Sequence, residues 1–421
     1  MAGSSAGTSL THQEIALPIM PESPRTIGFL TTTSGWGGTE LHTVGVAREL
    51  VSRGHRVVLF ELGHDQYSAR RGSLDMGLLT VIPVALPAGM GRLTTRFWRE
   101  LMRRHDLDTV VCPKGGFNNR WPRLDLAVWT AGVHNVCIEH AMPPRPLIRT
   151  SRSHLGGLLP GVGLWHLWYR AAIRLHRLAW NRIVAVSGAI KHQLVADYGY
   201  RDARVTVVHN GVDASVFRSD AAAREAARAR WGMPAAAFVF GVLGRFVPEK
   251  RLDRALLVFR TLVRSNPGLP LYLVLMGSGP EDGALRRLAL ELGVAERCVW
   301  PGEAGAPWHD LPGLDCYLLT SESEGLPYSL LEAMACERVS VAVASGGVSE
   351  ALVDGMTGRL TGDAPADIVA AMRAVLSWSP EERAEVGRRA RRHVIERHDQ
   401  ATQVGAVASI IEGLCAGEGS A

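Results

Sequence analysis

Short β-branched runs alternate with helical segments along the chain, and this alternation constrains the fold more than any other feature. Such alternation is typical of βαβ units, which build parallel sheets with helices on both faces. One cycle of strands and helices opens at residues 26–32, and a second cycle opens at residue 237. The sequence therefore predicts an α/β protein with two doubly wound, Rossmann-like domains.

The length of 421 residues supports this division, because a single hydrophobic core rarely extends over so many residues. We predict an N-terminal domain over residues 23–213 and a C-terminal domain over residues 214–385. Charged helices over residues 386–421 are expected to return to the N-terminal domain. Residues 1–22 are rich in Gly, Ser, Ala and Thr, which predicts a disordered tail and not a signal peptide.

The composition indicates where in the cell the protein is located and which partners its charge favours. Hydrophobic residues make up 47% of the chain and charged residues 21%, and no uninterrupted apolar run reaches the ~18 residues that a membrane span requires. We therefore expect a cytoplasmic protein. The net charge of +5 favours phosphates or an anionic membrane surface as partners. No basic run interleaved with aromatic residues is found, so nucleic acid is not an expected partner.

Residues 321–335 carry the strongest chemical signal. They follow a strand at residues 315–319 and begin with a turn that leads into a helix. Gly325 permits a tight turn, and Pro327 suits the first turn of a helix. The unpaired N–H groups near Leu326 would then point toward the end of the sheet, where an anion such as a diphosphate can bind.

Two carboxylates frame this turn and helix. Glu324 precedes the helix, and Glu332 lies within it, eight positions later. With this spacing, the segment resembles the E-x7-E region of the retaining glycosyltransferases of family four, which have the GT-B fold. The resemblance spans residues 26–360. It implies that Glu324 lies at the donor sugar and that Glu332 binds the ribose hydroxyls, whereas the residues alone would also allow a solvated and a helix-capping carboxylate.

Arg245 and Lys250 follow the strand that ends at Leu243. Two fixed cations beside a diphosphate would offset the charge that develops on a leaving group. Lysine is scarce in this chain, so Lys250 indicates a need for a compact ammonium group. The resemblance implies that these two residues bind the donor diphosphate, and a surface pair at a helix start is the alternative.

The N-terminal domain contributes two further candidates. Gly37 and Gly38 come soon after the first strand, where glycine lets the backbone approach a phosphate or an acceptor. His140 follows the strand at residues 135–139. The resemblance implies that His140 faces the donor sugar, and a structural histidine at a strand end is nearly as good an interpretation.

Three other matches to the family pattern indicate architecture. Ser187 is expected to cap a helix, and residues 210–213 form a turn that links the domains. Gly346, Gly347 and Glu350 resemble a late glycine turn of the family, with Ser349 in place of a proline. Glu337 and Val339, upstream of it, stand where the family commonly has Gly and Pro, and these departures concern the local geometry of a turn before a strand more than the chemistry.

No metal or cofactor is expected. Asp106 and Asp108 form a nominal D-x-D motif, but they precede a strand, and we interpret them as a solvated turn. The resemblance implies no metal requirement. The six cysteines form no C-x-x-C pair and are expected to be buried free thiols.

Residues 163–182 form a basic amphipathic helix that contains Trp165 and Trp168. Arg170, Arg174 and Arg177 share one face of this helix. Such a helix can lie on an anionic membrane, which would place the protein on the inner membrane face. Packing of its apolar side on the domain core is the commoner case. Both interpretations remain open.

We predict a retaining glycosyltransferase that transfers a sugar from a nucleotide diphosphate sugar, expected to be UDP-linked, to a hydroxyl group. Because N-terminal loops vary in the family, the acceptor stays open among a saccharide, a lipid-linked acceptor and a small natural product. The alternatives are a non-catalytic sugar-nucleotide-binding subunit and an epimerase of the GT-B fold.

Overall fold

The structure is a computed structural model, and it describes residues 23–31, 37–62, 67–68, 77–84, 94–114, 122–143, 160–303 and 305–414. For residues 160–168 it describes the backbone alone. The predicted tail at residues 1–22 lies outside the described residues. So do residues 32–36 of the first turn and the side chains of Trp165 and Trp168.

The N-terminal domain is built on a parallel sheet of seven described strands in the order β3-β2-β1-β4-β5-β6-β7. The strands are β1 (Thr26–Thr31), β2 (Arg56–Leu62), β3 (Leu79–Val84), β4 (Thr109–Lys114), β5 (His134–Glu139), β6 (Arg182–Ala185) and β7 (Val205–Val207). The helices are α1 (Gly38–Ser52), α2 (Thr95–Arg104), α3 (Pro122–Ala131), α4 (Pro160–Ala179) and α5 (Gly188–Ala196). Apolar side chains on both faces of the central strands are buried, as parallel sheets require.

The C-terminal domain repeats the pattern with six described parallel strands in the order β10-β9-β8-β11-β12-β13. The strands are β8 (Phe238–Leu243), β9 (Leu271–Met276), β10 (Cys298–Gly302), β11 (Cys316–Leu319), β12 (Val339–Val343) and β13 (Arg359–Thr361). The helices are α6 (Ala221–Arg230), α7 (Leu252–Ser265), α8 (Asp282–Glu291), α9 (Pro307–Asp310), α10 (Tyr328–Ala335), α11 (Val348–Ala351), α12 (Pro365–Ser377), α13 (Pro380–Arg397) and α14 (Gln400–Gly413).

Both sheets have the doubly wound strand order, so the predicted α/β architecture with two Rossmann-like domains is confirmed. In each sheet the order reverses beside the first strand of the domain. The switch points therefore lie between β1 and β4 and between β8 and β11. Ligands of open α/β sheets bind outside the carboxyl ends of the strands at such points. No described helix combines the length and the apolar character needed to cross a bilayer.

The return of the chain to the N-terminal domain, which we predicted for the helices of residues 386–421, can be followed in the structure from residue 386 onward. That residue lies inside α13, which packs against α10 and β12 of the C-terminal domain. The return occurs at His398, whose carbonyl accepts a hydrogen bond from the Val212 amide at 2.8 Å. Helix α14 then packs on α1. Helix α13 begins at a capping box at Ser379 and ends at Arg397, just before this return.

Glu337 adopts a left-handed backbone conformation, with φ of 61°. It lies in the turn between α10 and β12, at the position where the sequence departs from glycine. Left-handed backbone costs a residue with a Cβ atom about 1–2 kcal/mol relative to glycine. The turn thus keeps the conformation that glycine favours, and β12 still begins at Val339.

Replacing Glu337 with glycine should therefore raise the free energy of unfolding by about 0.5–1 kcal/mol, after the greater freedom of glycine in the unfolded chain is subtracted. Urea unfolding of the purified protein measures this change. Glu337→Ala is the matched control, since alanine keeps the steric cost. Equal stability of the glycine and alanine variants would contradict the interpretation.

Candidate active site

The two domains meet in a cleft where glycines permit close contact. A Cβ atom on Gly38, at the start of α1, would lie 2.4 Å from the ring of Tyr328, at the start of α10. A Cβ atom on Gly325 would lie 2.1 Å from the carbonyl oxygen of His140. Side chains at either glycine would force the domains apart. Predicted site residues of both domains are therefore in direct contact.

Glu324 and Lys250 form an ion pair at the C-terminal side of this cleft. The Lys250 Nζ donates to Glu324 Oε1 at 2.6 Å. The carboxylate is only 8% exposed, whereas the lysine is partly exposed. Lysine carries three N–H donors, so the ammonium can hold Glu324 and still donate to a ligand.

A small cavity opens between the carboxyl ends of β8 and β11, at the switch point of the C-terminal sheet. Its lining includes Gly244, Arg245, Lys250 and Ser321. Arg245 is exposed, and its loop is held by the hydrogen bond from the Phe246 amide to the Ser278 carbonyl at 2.7 Å. The structure thus brings the two predicted cations to one cavity.

Helix α10 presents its N-terminus to the same region. It begins at Tyr328 and has Pro327 at the N-cap, one residue earlier than the predicted place of the proline in the first turn. Proline has no side-chain acceptor, and no side-chain cap is formed. The start of α10 lies against the N-terminal domain, because a Cβ atom on Gly38 would touch the Tyr328 ring, and its first N–H groups carry the positive end of the helix dipole without a side-chain cap.

Glu332 lies on α10 and is buried. Burial disfavours the charged carboxylate and raises the pKa of Glu332 to about 7. A group of ligand hydroxyls would supply the hydrogen bonds that an ionised carboxylate needs there. Glu332 is thus suited to accept hydrogen bonds from the hydroxyl groups of a ligand.

His140 stands at the end of β5, and its ring packs edge-to-face on His42 with centroids 4.7 Å apart. Burial and the neighbouring His42 lower the pKa of His140 well below its usual value. Burial lowers the pKa of His42 to about 4. Among the described residues, neither the His140 Nε2 nor the two His42 ring nitrogens have a hydrogen-bond partner. Both rings are therefore neutral, and these unpartnered ring nitrogens are buried.

His42 was not predicted from the sequence, although it lies four residues after Gly38 on the same helix. Asn210 was interpreted as architectural, but its side-chain amide also donates to the Leu326 carbonyl at 2.7 Å. Ser187 is the predicted helix cap, and its hydroxyl accepts from the Ile190 amide at 3.3 Å.

A second buried cluster lies near the ends of β4 and β5. Cys137, Glu139 and His176 could together ligate a metal ion. The Lys114 ammonium, however, lies 2.5 Å from His176 Nε2. Burial alone would lower the pKa of Lys114, but the neighbouring Cys137 and Glu139 raise it above its usual value. The cation of this cluster is therefore a lysine side chain.

The D-x-D motif lies at the amino ends of the strands of the N-terminal sheet, on the side away from the cleft. Asp106 and Asp108 are exposed, and Asp108 Oδ2 accepts from the Thr26 amide at 2.8 Å. A cavity of about 330 Å³ is lined there by Arg25, Asp108 and His134. Because it lies at the amino ends of the strands, it does not belong to the cleft.

Two Rossmann-like domains that face a cleft with cations, buried carboxylates and an uncapped helix N-terminus define the GT-B class of α/β proteins. The family model described as Glycosyltransferase Family 4 matches residues 36–216, and that described as Glycosyl transferases group 1 matches residues 223–393. The chain belongs to glycosyltransferase family four.

Several known proteins are similar to the chain. A D-inositol 3-phosphate glycosyltransferase of Kribbella flavida is 34% identical over 226 residues, which cover 51% of this chain and 52% of that protein. A second one, from Mycobacterium bovis, is 32% identical over 252 residues, which cover 58% of this chain and 46% of that protein. The chain thus spans about half the length of the curated relatives it matches.

Solved structures match over a larger part of the chain. Anabaena HepE in complex with UDP has a TM-score of 0.74 at 19% identity and covers 92% of this chain and 100% of its own. WaaG, a glycosyltransferase involved in lipopolysaccharide biosynthesis, has a TM-score of 0.72 at 17% identity, with coverages of 92% and 100%. At these identities the likeness concerns the fold.

The raised pKa of Glu332 leads to a stability prediction. Its folded pKa of about 7 exceeds the ordinary value of 4.5, so the folded state holds the proton more tightly than the unfolded state. Stability that the protonated group provides at pH 5 should be lost as the pH rises through 7. Relative to Glu332→Gln, the natural protein should lose about 2 kcal/mol of unfolding free energy between pH 5 and pH 8.

Urea unfolding of both proteins at the two pH values, at constant ionic strength, measures this difference. Glutamine keeps the shape of the protonated acid and does not titrate. Parallel pH dependences of the two proteins would show that Glu332 is ionised at its ordinary pKa in the fold.

Proposed function

We propose that this protein is a retaining glycosyltransferase. It would transfer a sugar from a nucleotide diphosphate sugar, in which the nucleotide is UDP, to a hydroxyl group of an acceptor. The observation that carries the proposal is the convergence of Glu324, Lys250 and the α10 N-terminus on one side of the cleft. His140 of the other domain closes the opposite side. The UDP complexes of the structural neighbour HepE support the choice of nucleotide.

The donor would bind to the C-terminal domain. Arg245 and Lys250 would hold the diphosphate with charge-assisted hydrogen bonds, and the N–H groups near Leu326 would add to them. Glu332 would accept hydrogen bonds from the ribose hydroxyls. Gly37 and Gly38 would let the start of α1 approach the diphosphate from the N-terminal domain.

The reaction would proceed on one face of the sugar. The bond between the anomeric carbon and the diphosphate oxygen breaks, and both bonding electrons leave with the diphosphate. The acceptor hydroxyl attacks from the same face and gives its proton to the departing phosphate oxygen. Retention follows without a protein nucleophile, and no strong base is required.

The side chains have distinct roles in this scheme. Glu324, held by Lys250, would orient the sugar and stabilise positive charge at the anomeric carbon. Arg245 and Lys250 would stabilise the negative charge on the leaving diphosphate. The neutral His140 would hydrogen-bond a sugar hydroxyl through Nε2, which its lowered pKa keeps uncharged. No metal or other cofactor takes part in these steps.

The acceptor would bind against the N-terminal domain. Acceptors that fit the proposal are saccharides, lipid-linked acceptors and small natural products, since each offers a hydroxyl. Because relatives are named D-inositol 3-phosphate glycosyltransferase, a phosphorylated polyol should be tested together with these acceptors. Mass detection of products from a donor panel crossed with this acceptor panel identifies the pair.

A non-catalytic sugar-nucleotide-binding subunit and an epimerase of the same fold are the alternatives. The Lys250–Glu324 pair argues against the subunit, because binding alone does not need a carboxylate held beside a diphosphate site. Slow hydrolysis of UDP-sugars by the purified protein separates catalysis from binding. Conversion of one UDP-sugar into its epimer would favour the other alternative.

The sharpest test of the mechanism is the stereochemistry of the product together with Glu324→Gln. We expect the anomeric configuration of the donor to be retained in the product, as NMR coupling constants report. Glu324→Gln keeps the shape but removes the charge that stabilises the transition state. Its kcat should fall by about 10²–10³, with UDP affinity nearly unchanged.

Glu322→Gln is the matched control for this variant. Glu322 lies two residues away, but its side chain is 69% exposed and points to Arg251 at 4.0 Å. We expect normal turnover from this control. An inverted product, or near-normal turnover of Glu324→Gln, would overturn the mechanism.

We also propose that the protein contacts an anionic membrane surface through helix α4. Arg170, Arg174 and Leu178 of this helix are exposed, and Leu178 is 54% exposed. The neighbouring α3 exposes Trp129, also to 54%. Arginines beside exposed apolar groups suit an interface of anionic headgroups and acyl chains. This contact would place the protein on the inner membrane face.

Co-sedimentation with vesicles tests this contact. Binding to phosphatidylglycerol vesicles should exceed binding to phosphatidylcholine vesicles and should weaken at high salt. The double variant Arg170→Glu/Arg174→Glu should bind at least about tenfold more weakly, since each basic residue contributes about 1 kcal/mol. Arg264→Glu/Arg287→Glu, an exposed pair on the C-terminal domain, is the charge-matched control. Equal loss in both variants would point to net charge instead of a defined surface.

A further inference from the structure

Glu350, on α11 of the C-terminal domain, reaches across the cleft to the N-terminal domain. Its carboxylate accepts hydrogen bonds from the Gly188 amide at 2.7 Å and from the Ala189 amide at 2.9 Å. It also lies 2.9 Å from His209 Nε2. These three partners all belong to the N-terminal domain or to its last segment. One side chain thus joins the two domains at three points.

The physical reason for this contact is the N-terminus of α5. Its first two N–H groups have no partner within the helix, and the positive end of the helix dipole favours an anion. Burial raises the pKa of Glu350, but the hydrogen bonds from His209, Gly188 and Ala189 outweigh this and lower it below its usual value. The carboxylate is therefore ionised at neutral pH, and the contact is a charged one.

The loop that carries Glu350 also supports the turn at Glu324. A Cβ atom on Gly346 would lie 1.8 Å from the Glu324 carbonyl oxygen, and one on Gly347 would lie 2.0 Å from that of Gly325. The Gly347 amide donates to the Glu324 carbonyl at 3.2 Å. Two backbone segments of the C-terminal domain are therefore in van der Waals contact beneath the proposed catalytic carboxylate.

The same loop touches the N-terminal domain at a second place. The Cβ atom built on Gly347 lies 2.7 Å from the Ser187 Cβ atom. The loop therefore lies between α5 of one domain and the Glu324 turn of the other. The Asn210 side chain, which donates to Leu326, holds the other end of this turn.

We propose that Glu350 is a positioning residue that couples closure of the cleft to the geometry of the Glu324 turn. When α5 engages Glu350, the loop is pressed against the turn and Glu324 takes its place beside the sugar. When the cleft opens, the carboxylate loses its three donors and the turn loses its support. The proposal rests on the function proposed above for Glu324.

The coupling has a consequence that separates it from simple stabilisation. Arg245, Lys250 and Glu332 all belong to the C-terminal domain, so the nucleotide can bind without the Glu350 contact to α5. Catalysis needs Glu324 in position and therefore needs the Glu350 contact to α5. Loss of Glu350 should lower turnover while nucleotide affinity stays.

Glu350→Gln tests the coupling. Glutamine keeps the size of the side chain but removes the charge and points an N–H group at one of its donors. We expect kcat to fall about tenfold or more, as loss of charged hydrogen bonds implies, with the Kd for UDP within about twofold of the natural protein. Small-angle X-ray scattering with saturating UDP should show a larger radius of gyration for the variant.

Glu412→Gln is the matched control. Glu412 is a carboxylate of similar exposure that also joins distant segments, bonding Arg53 at 2.7 Å and His55 at 2.8 Å. It lies on α14, away from the Glu324 turn. We expect its variant to lose stability without the loss of kcat or the change in scattering.

The outcomes distinguish the coupling from the proposed function. If the natural protein transfers no sugar, the proposed function fails, and the scattering comparison still decides whether Glu350 holds the cleft closed. If Glu350→Gln keeps its kcat, or loses kcat and UDP affinity equally, the coupling is wrong. An equal loss of kcat in Glu412→Gln would also overturn it.

Discussion

The close approach of backbones around Gly325 is the constraint on which the rest of the cleft depends. The Gly325 carbonyl faces Gly347, and the Gly325 Cα faces the His140 carbonyl, with no space for a side chain on either glycine. Three chain segments from two domains therefore meet within van der Waals distance. The carboxylate of Glu324, for which a catalytic role is proposed, gains a fixed position from this contact, although it stands in a turn and not in a helix or strand.

The two helices that begin at the cleft use their N-termini differently. The first N–H groups of α5 are occupied by Glu350 and the Ser187 hydroxyl, so this helix end serves the contact between domains. Helix α10 follows Pro327, which offers no side-chain acceptor, and its first N–H groups have no side-chain cap. The same electrostatic feature thus holds the domains together at one helix and remains for an anionic ligand at the other.

The sequence predicted the parts of the site that are local along the chain. The E-x7-E segment contains its own turn and helix, and Arg245 and Lys250 follow one strand, so a family resemblance carried by short local motifs could point to them. The Glu350 contact with α5 and the Asn210 contact with Leu326 join residues more than one hundred positions apart. No periodicity or turn signal encodes such pairs, because they arise only when the two sheets face each other. The packing of the C-terminal helices is non-local in the same way, since a charged helix pattern does not show which domain the helix packs on.

Glu324 and Glu332 stand eight residues apart, but their surroundings differ. Glu324 has a lysine ammonium at 2.6 Å, which compensates a negative charge in a buried place. Glu332 is buried on α10, and burial raises its pKa to about 7. A carboxylate that a lysine holds in place can face a positive charge that develops during a reaction, whereas a buried carboxyl group with a raised pKa gains most from ligand hydroxyls that hydrogen-bond to it. The different roles proposed for the two carboxylates therefore rest on the fold around them and not on their spacing.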